Sequence, residues 1–236
     1  MQIKFTIFLF LIGLASLSLI VFTLPCYSDS KSLVDSFSMT CHPTQGNTLS
    51  CLTVGDNSNG KFLSCIKFNS DDFKINNQML QSSDITSATL YLNIYSPPTG
   101  TINQFGVYLL NSYFGSSTSY NQINSNISST PNDSRSNWYS TFVNFDVTNI
   151  VKSWLSSSPY FTLVVKTIQN PNQNTVVFCG FDNCGSSVCN NKGARITINY
   201  NPPSSNTKTL TINSIPTGLS LICTQKYGHK VKIVYS

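Results

Sequence analysis

The chain has 236 residues, a charged fraction of only 10%, a net charge of +5 and no glutamate. Its Lys and Arg residues never gather into a run, which excludes the basic footprint of a nucleic-acid-binding protein. Abundant Asn, Ser, Thr, Tyr and Phe favour strands and turns over long helices, and the length suits one ordinary domain with appendages.

The chain begins with a short basic segment, Met1 to Lys4, and an apolar run, Phe5 to Leu24. Pro25, Cys26, Tyr27 and Ser28 follow as a helix break with small residues. This pattern predicts a secretory signal peptide over 1–28. An apolar run of about 20 residues also suffices to span a bilayer, so an uncleaved N-terminal anchor is the alternative, and a membrane is a partner only in that case. In both cases the remainder leaves the cytosol, for a secreted or extracellular location.

A polar lead-in runs to a first strand at Ser36 to Cys41, and Thr44 to Asn47 reads as a turn. Leu49 to Val54 is a short strand. Gly55 to Lys61 is a hairpin turn carried by Asn59-Gly60, and Phe62 to Phe68 resumes the extended pattern. Ser87 to Ser96 alternates cleanly: Ala88, Leu90, Leu92 and Ile94 point one way, Thr89, Tyr91, Asn93 and Tyr95 the other. Gln104 to Asn111 is another strand, and 112–136 reads as a long polar loop.

The stretch from Phe142 to Leu155 starts as a strand and ends as a helix. Tyr139, Thr141, Val143 and Phe145 alternate. Asp146 suits a helix N-terminus in both oxygen and charge. Val147, Ile150, Val151, Trp154 and Leu155 then form one apolar stripe at helical spacing, with Trp154 expected in the core. Strands follow at Tyr160 to Ile168, Thr175 to Phe181 and Ala194 to Tyr200. About eight strands with turns between them predict an all-β antiparallel sandwich, a jelly roll with one short inserted helix, over residues 36–200. Residues 201–206 read as a linker. Residues 207–236 read as a short β appendage (Leu210 to Ile215, Leu219 to Thr224, Val231 to Tyr235) too small to bury its own core.

Apart from Cys26, seven cysteines remain: Cys41, Cys51, Cys65, Cys179, Cys184, Cys189 and Cys223. In a secreted chain they are disulfide candidates, and the sequence selects no pairing among them. The even spacing of Cys179, Cys184 and Cys189 groups those three; a zinc site is the weaker alternative for want of a clear fourth ligand. Asn126-Ile-Ser and Asn132-Asp-Ser are glycosylation acceptors in a Ser/Asn-rich loop. Asp56, Asn57, Ser58 and Asn59 could offer oxygens to a structural calcium, but no bidentate Glu follows and a bare hairpin turn accounts for them. No cofactor is expected.

Enzyme signatures are missing: no G-x-S-x-G, no H-E-x-x-H and no Gly-rich phosphate loop. Asp71 and Asp72 sit in a turn-like context, and His42 and His229 have no triad partner that can be placed. The expectation is a protein without catalysis.

Some segments are similar to a known family. SATLYLNIY, then VNFDVTNIVKSWL, a strand ending LVVK and a terminal ARITINY resemble the DNRLRE-type domain, also described as carbohydrate-binding module family 96. Its patterns are s-A-x-L-x-L, f-D-V-T-x-x-V-x-x-W and P-R-L-x-V-x-Y. The segment TVGDNSNGKFLSCIKF is similar to the family's first hairpin. The resemblance covers about residues 36–200, and its specific part is the D-V-T…V…W element. The family's W-x-E motif has no counterpart in NSYFGSSTSYNQI, so no particular sugar specificity transfers. The resemblance implies a β-sandwich module that binds polysaccharide and is often attached to, or found beside, carbohydrate-active enzymes. With the signal-like start, the expected partner of a secreted module is a polysaccharide or a glycoprotein glycan. Pyranose C–H faces pack on aromatic rings, and hydroxyls seek amide, hydroxyl and basic groups. Tyr91, Asn93 and Tyr95, Trp138 and Tyr139, and Arg195 and Asn199 meet those demands. Tyr91 and Tyr95 equally fit the outer cover of a sheet. A structural or adhesive extracellular protein built on the same sandwich is the alternative function.

Overall fold

Short runs of alternating and β-branched residues become strands throughout the computed structural model. It describes residues 28–48, 51–58, 60–97, 104–136, 141–170, 174–181, 184, 186–201, 208–212 and 231–235. The strands are β1 (Asp29–Val34), β2 (Phe37–His42), β3 (Gly46–Thr48), β4 (Cys51–Asn57) and β5 (Gly60–Lys67). Two-residue strands β6 (Lys74–Ile75) and β7 (Gln78–Met79) follow, then β8 (Ile85–Ser96) and β9 (Gln104–Leu109). Next come α1 (Tyr120–Ser125), β10 (Asp133–Ser136), β11 (Phe142–Asp146), α2 (Thr148–Ser156), β12 (Thr162–Gln169), β13 (Thr175–Cys179) and β14 (Arg195–Tyr200). The chain divides into two units, 29–200 and the two termini 1–28 with 201–236. In the second unit, β15 (Lys208–Ile212) and β16 (Val231–Tyr235) pair in parallel. Residues 1–27 of the expected 1–28 signal segment and the strand at Leu219 to Thr224 lie outside the described residues, as does Cys223. Among the described residues no helix is long and apolar enough to cross a membrane.

Among the described residues of 29–200 every ladder is antiparallel; β6 and β7 pair apart, and the other strands form one curled sheet whose main path runs β1-β14-β8-β13-β4-β5-β12-β9-β10. β11 joins on β8, and β2 with β3 joins on β5. The curl arises because long strands change neighbours along their length. The first part of β8 pairs β14 and β11, while its end at Ile94 and Ser96 pairs β13. β5 pairs β4 at Gly60–Phe62 and then β2 and β12 from Leu63 on. Where β5 parts from β4, hydroxyls replace the missing ladder. The Thr53 amide donates to Thr40 Oγ1 at 2.7 Å, Thr40 Oγ1 donates to the Cys51 carbonyl at 2.6 Å, and Ser64 Oγ donates to the Thr53 carbonyl at 2.8 Å. Buried backbone groups need such partners, which explains polar Thr40 and Ser64 inside the protein.

The main core lies inside the curl. Leu90, Leu92, Val143, Phe145, Ile196, Ile198, Leu163, Val165, Ile66, Phe105 and Phe178 all belong to it. The alternation in β8 therefore runs as expected, with Ala88, Leu90 and Leu92 buried. A second apolar layer covers the outer side of β2, β5, β12 and β9. It comprises Met39, Cys41, Leu63, Cys65, Tyr108, Leu110, Phe114, Ile123 and Val164. Consecutive residues of a strand face opposite ways, so Leu163 and Val165 enter one core while Val164 enters the other. That double burial explains the unbroken apolar run LVV in β12.

The segment 112–136, expected as a polar loop, contains α1 and β10. α1 begins with a capping box between Ser119 and Gln122, a signature written in the sequence as S-Y-N-Q. Its Ile123 is buried in the second layer. β1 replaces the polar lead-in: DSKSLV has little apolar pattern, but it edges the sheet through backbone bonds to β14, with Leu33 opposite Ile196. The turn expected at Thr44 to Asn47 ends earlier, and Gly46 at φ 77° starts β3.

The strand-to-helix element forms with one difference. Asp146 is not the N-cap residue of α2; that position is Val147. Asp146 still caps, because its Oδ1 accepts the Thr148 amide at 2.9 Å. Thr148 Oγ1 accepts the Ala88 amide at 2.9 Å, and the Val147 amide donates to the Ala88 carbonyl at 2.9 Å. The D-V-T triplet thus ties the helix start to the middle of β8. Val147, Ile150, Val151 and Trp154 are buried as the stripe requires, and Leu155 is partly buried.

Candidate functional site

β1, β14, β8 and β11 lie side by side. Their inward residues, Leu33, Ile196, Ile198, Leu90, Leu92, Val143 and Phe145, are core. The pleat sends the intervening residues to the opposite, outer face. Register places Val34, Arg195, Tyr91 and Asn144 in one row across all four strands. The next row is Ser32, Thr197, Thr89 and Asp146. On the other flank of the first row, Asn93 stands opposite Phe142.

The structure therefore brings Tyr91, Asn93, Arg195 and Asn199 onto one face, and Tyr95 follows on β8 where that strand bulges against β13. Tyr95 is 40% exposed, Phe142 45% and Val34 57%. Arg195 is exposed, while Tyr91, Asn93 and Asn199 are half-buried. Trp138 and Tyr139 lie outside the described residues. Two amides are held in place: Asn93 Nδ2 donates to the Lys192 carbonyl at 3.1 Å, and Asn199 Nδ2 donates to Ser87 Oγ at 2.8 Å. The Arg195 guanidinium has no carboxylate within ion-pair distance among the described residues. The face thus offers aromatic rings, an open cation and positioned amides, a set that suits a flat, hydroxyl-rich ligand.

Sequence reasoning missed Phe142 and Asn144. Their outward placement follows from the same alternation that turns Val143 and Phe145 inward. Their position beside Asn93 and Tyr91 depends on the β11–β8 register, which no local signal carries. It also missed a surface groove of approximately 500 Å³ beyond the end of β5. Lys67, Asn69, Tyr113, Phe114, Tyr160 and Phe161 are among its lining residues. Tyr113 is 66% exposed there, with Lys67 Nζ 5.5 Å from its ring centroid, within cation–π range.

The other chemically able residues are engaged structurally. His42 Nδ1 accepts the amides of Thr44 and Gln45 at 3.2 and 3.1 Å, and its ring packs 4.4 Å from Phe62, so the imidazole organises the β2–β3 turn. His229 lies outside the described residues. Asp71 and Asp72 stand in the first turn of a short 3-10 helix, Ser70–Phe73, and Asp71 pairs with Lys74 at 2.6 Å. Asp56 Oδ1, considered for calcium, accepts the Thr167 hydroxyl at 2.8 Å, and Asn59 lies outside the described residues. Among the described residues no group of three or more His, Cys, Asp or Glu side chains is placed to hold a metal.

Four cysteines close into two disulfides, Cys51–Cys184 and Cys179–Cys189. The grouping of Cys179, Cys184 and Cys189 therefore gains a fourth member, since Cys51 stands opposite Cys179 in the β4–β13 register. The zinc alternative gives way to these bonds, because the sulfurs that would ligate are joined to one another. Two disulfides mark a fold matured in an oxidising environment. Cys41 and Cys65 are free and buried.

The two sequons differ in surroundings. Asn126 is the exposed C-cap of α1. Asn132 is half-buried, and its Nδ2 donates to the Asp146 carbonyl at 2.6 Å. A glycan on Asn132 would crowd the β10–β11 contact, whereas one on Asn126 projects into water. Glycopeptide mass spectrometry of protein from a eukaryotic secretory host is expected to find Asn126 occupied well above Asn132; equal or reversed occupancy would contradict this reading. No protein-family model matches the chain, and no curated protein matches it either.

Proposed function

We propose that the 29–200 unit is the polysaccharide-binding part of a secreted, non-catalytic protein. In this reading the curled sheet is a jelly-roll sandwich, as in the DNRLRE-type domain that the D-V-T…V…W element resembles, and the outer face of β1-β14-β8-β11 is the platform. The observation that supports it is the register of that face. Tyr91 and Arg195 stand in one row, Asn93 and Phe142 in the next, with Tyr95 beyond. Internal sugars of an extended chain could lie on such a surface without a deep pocket.

The test is retention by polysaccharides in affinity electrophoresis, with thermal unfolding measured on the same samples. Tyr91→Ala and Tyr95→Ala should each weaken retention by about tenfold, the size of a hot-spot side chain. Stability should change by about 1 kcal/mol or less, because both rings lie outside the core. Tyr113→Ala, in the groove, should leave retention unchanged. If Tyr113→Ala abolishes retention and the β8 variants do not, the groove is the site and the platform reading fails.

A structural or adhesive role on the same scaffold is the second reading. It is favoured by the cross-linking of β4 and β13 to the 184–189 segment and by the burial of β12 on both faces. Absence of retention on every polysaccharide tried, with an intact fold, would select it.

A further inference from the structure

Cys41 on β2 and Cys65 on β5 share the buried outer side of the sheet, both with 0% exposure. Register sets Cys41 opposite Leu63 and Cys65 opposite Met39, so the two cysteines are diagonal neighbours on one face. Cys41 is near enough to Cys65 to act on its thiol directly, as diagonal neighbours on one strand face can be. The second apolar layer closes over them, with Tyr108, Leu110 and Phe114 around them and Ile123 of α1 as part of the cover. The same chain forms two disulfides elsewhere in this unit.

We propose that Cys41 and Cys65 are joined as a third disulfide in the mature protein, formed before the 110–127 segment seals the layer. The oxidant is a disulfide R–S–S–R of the secretory compartment, from a protein dithiol-disulfide exchanger or a small-molecule disulfide. One cysteine thiolate attacks R–S–S–R, giving a mixed disulfide and releasing R–S⁻. The second cysteine, deprotonated, attacks the sulfur of the first and releases the second R–S⁻. The two cysteines lose two electrons and two protons, and R–S–S–R becomes two R–SH. Only the thiolate reacts, and burial together with the Cys41 neighbour raises the Cys65 pKa well above its ordinary value. Both cysteines are fully buried, so a disulfide reagent does not reach them in the folded, reduced protein, which places the step during folding. All six cysteines of the 29–200 unit are then bonded, and Cys223 is left as the odd one of the seven that follow Cys26.

The test uses the wild-type full chain, secreted from a eukaryotic host. The protein is denatured with an alkylating reagent and no reductant, digested and mapped by mass spectrometry. The expected result is a linked pair of peptides containing Cys41 and Cys65, with neither cysteine alkylated. Alkylation of both in the bulk of the protein, or linkage of either to another cysteine, overturns the proposal. A second arm folds the chain with only Cys41 and Cys65 left reduced and exposes it to oxidised glutathione under native conditions. No linkage should form there until denaturant is added; rapid linkage in the native state overturns the assignment of the step to folding.

Discussion

Trp154→Ala is expected to lower the stability of the 29–200 unit by about 3–5 kcal/mol, the usual cost of truncating a buried indole. For a domain of this size that corresponds to a fall in Tm of about 6–20 °C. The indole is only 3% exposed and packs in an aromatic cluster, with ring centroids 6.0 Å from Phe68, 5.9 Å from Phe73 and 5.7 Å from Phe161. The partner rings come from two segments, 68–73 and the residue just before β12, so the cavity would open where both meet α2. Trp154→Phe should cost less, because it retains an aromatic ring and removes Nε1, which has no hydrogen-bond partner among the described residues. Denaturant unfolding followed by Trp and Tyr fluorescence checks both variants. If Trp154→Ala unfolds at the wild-type midpoint yet loses polysaccharide retention, the ring belongs to a binding site and the packing account is wrong.

The two disulfides should differ in worth by the length of chain each closes. Cys51–Cys184 spans 133 residues and Cys179–Cys189 spans 10. Loop-closure entropy of the unfolded chain then assigns about 5 kcal/mol to the first and about 3 kcal/mol to the second. The double variant Cys51→Ala/Cys184→Ala should accordingly unfold at a lower urea concentration than Cys179→Ala/Cys189→Ala. The reverse order, with m-values unchanged, would mean that local packing of Cys179 and Cys189, both fully buried, outweighs chain entropy. Either loss is a large share of a typical domain's 5–15 kcal/mol, so reduction of the wild type should lower its Tm clearly.

Much of the fold is legible along the chain because its signals are local. The alternation in β8, the apolar stripe of α2 and the capping oxygen of Asp146 each act within a few residues. The elements that escape are those whose reason lies elsewhere in space. β1 is a strand because β14 offers it an edge, and β10 because it completes β9. α1 is signalled by its capping box, but at six residues it persists by seating Ile123 in the second layer. The same holds for the candidate face. Tyr91, Asn93 and Tyr95 are legible as outward residues of one strand, and Arg195 and Asn199 as outward residues of another. That Arg195 stands next to Tyr91, and Phe142 next to Asn93, is a matter of register.

By itself the sequence determined that this is a mostly antiparallel β protein with a short helix built around Trp154 and with cysteines suited to disulfides, because periodicity, capping and composition act over short distances. Only the tertiary structure decided which cysteines pair, which apolar run is buried on both faces and which side chains share a surface. Those outcomes follow from strand order and register, and residues as far apart as Cys51 and Cys184 become neighbours only when the sheet curls.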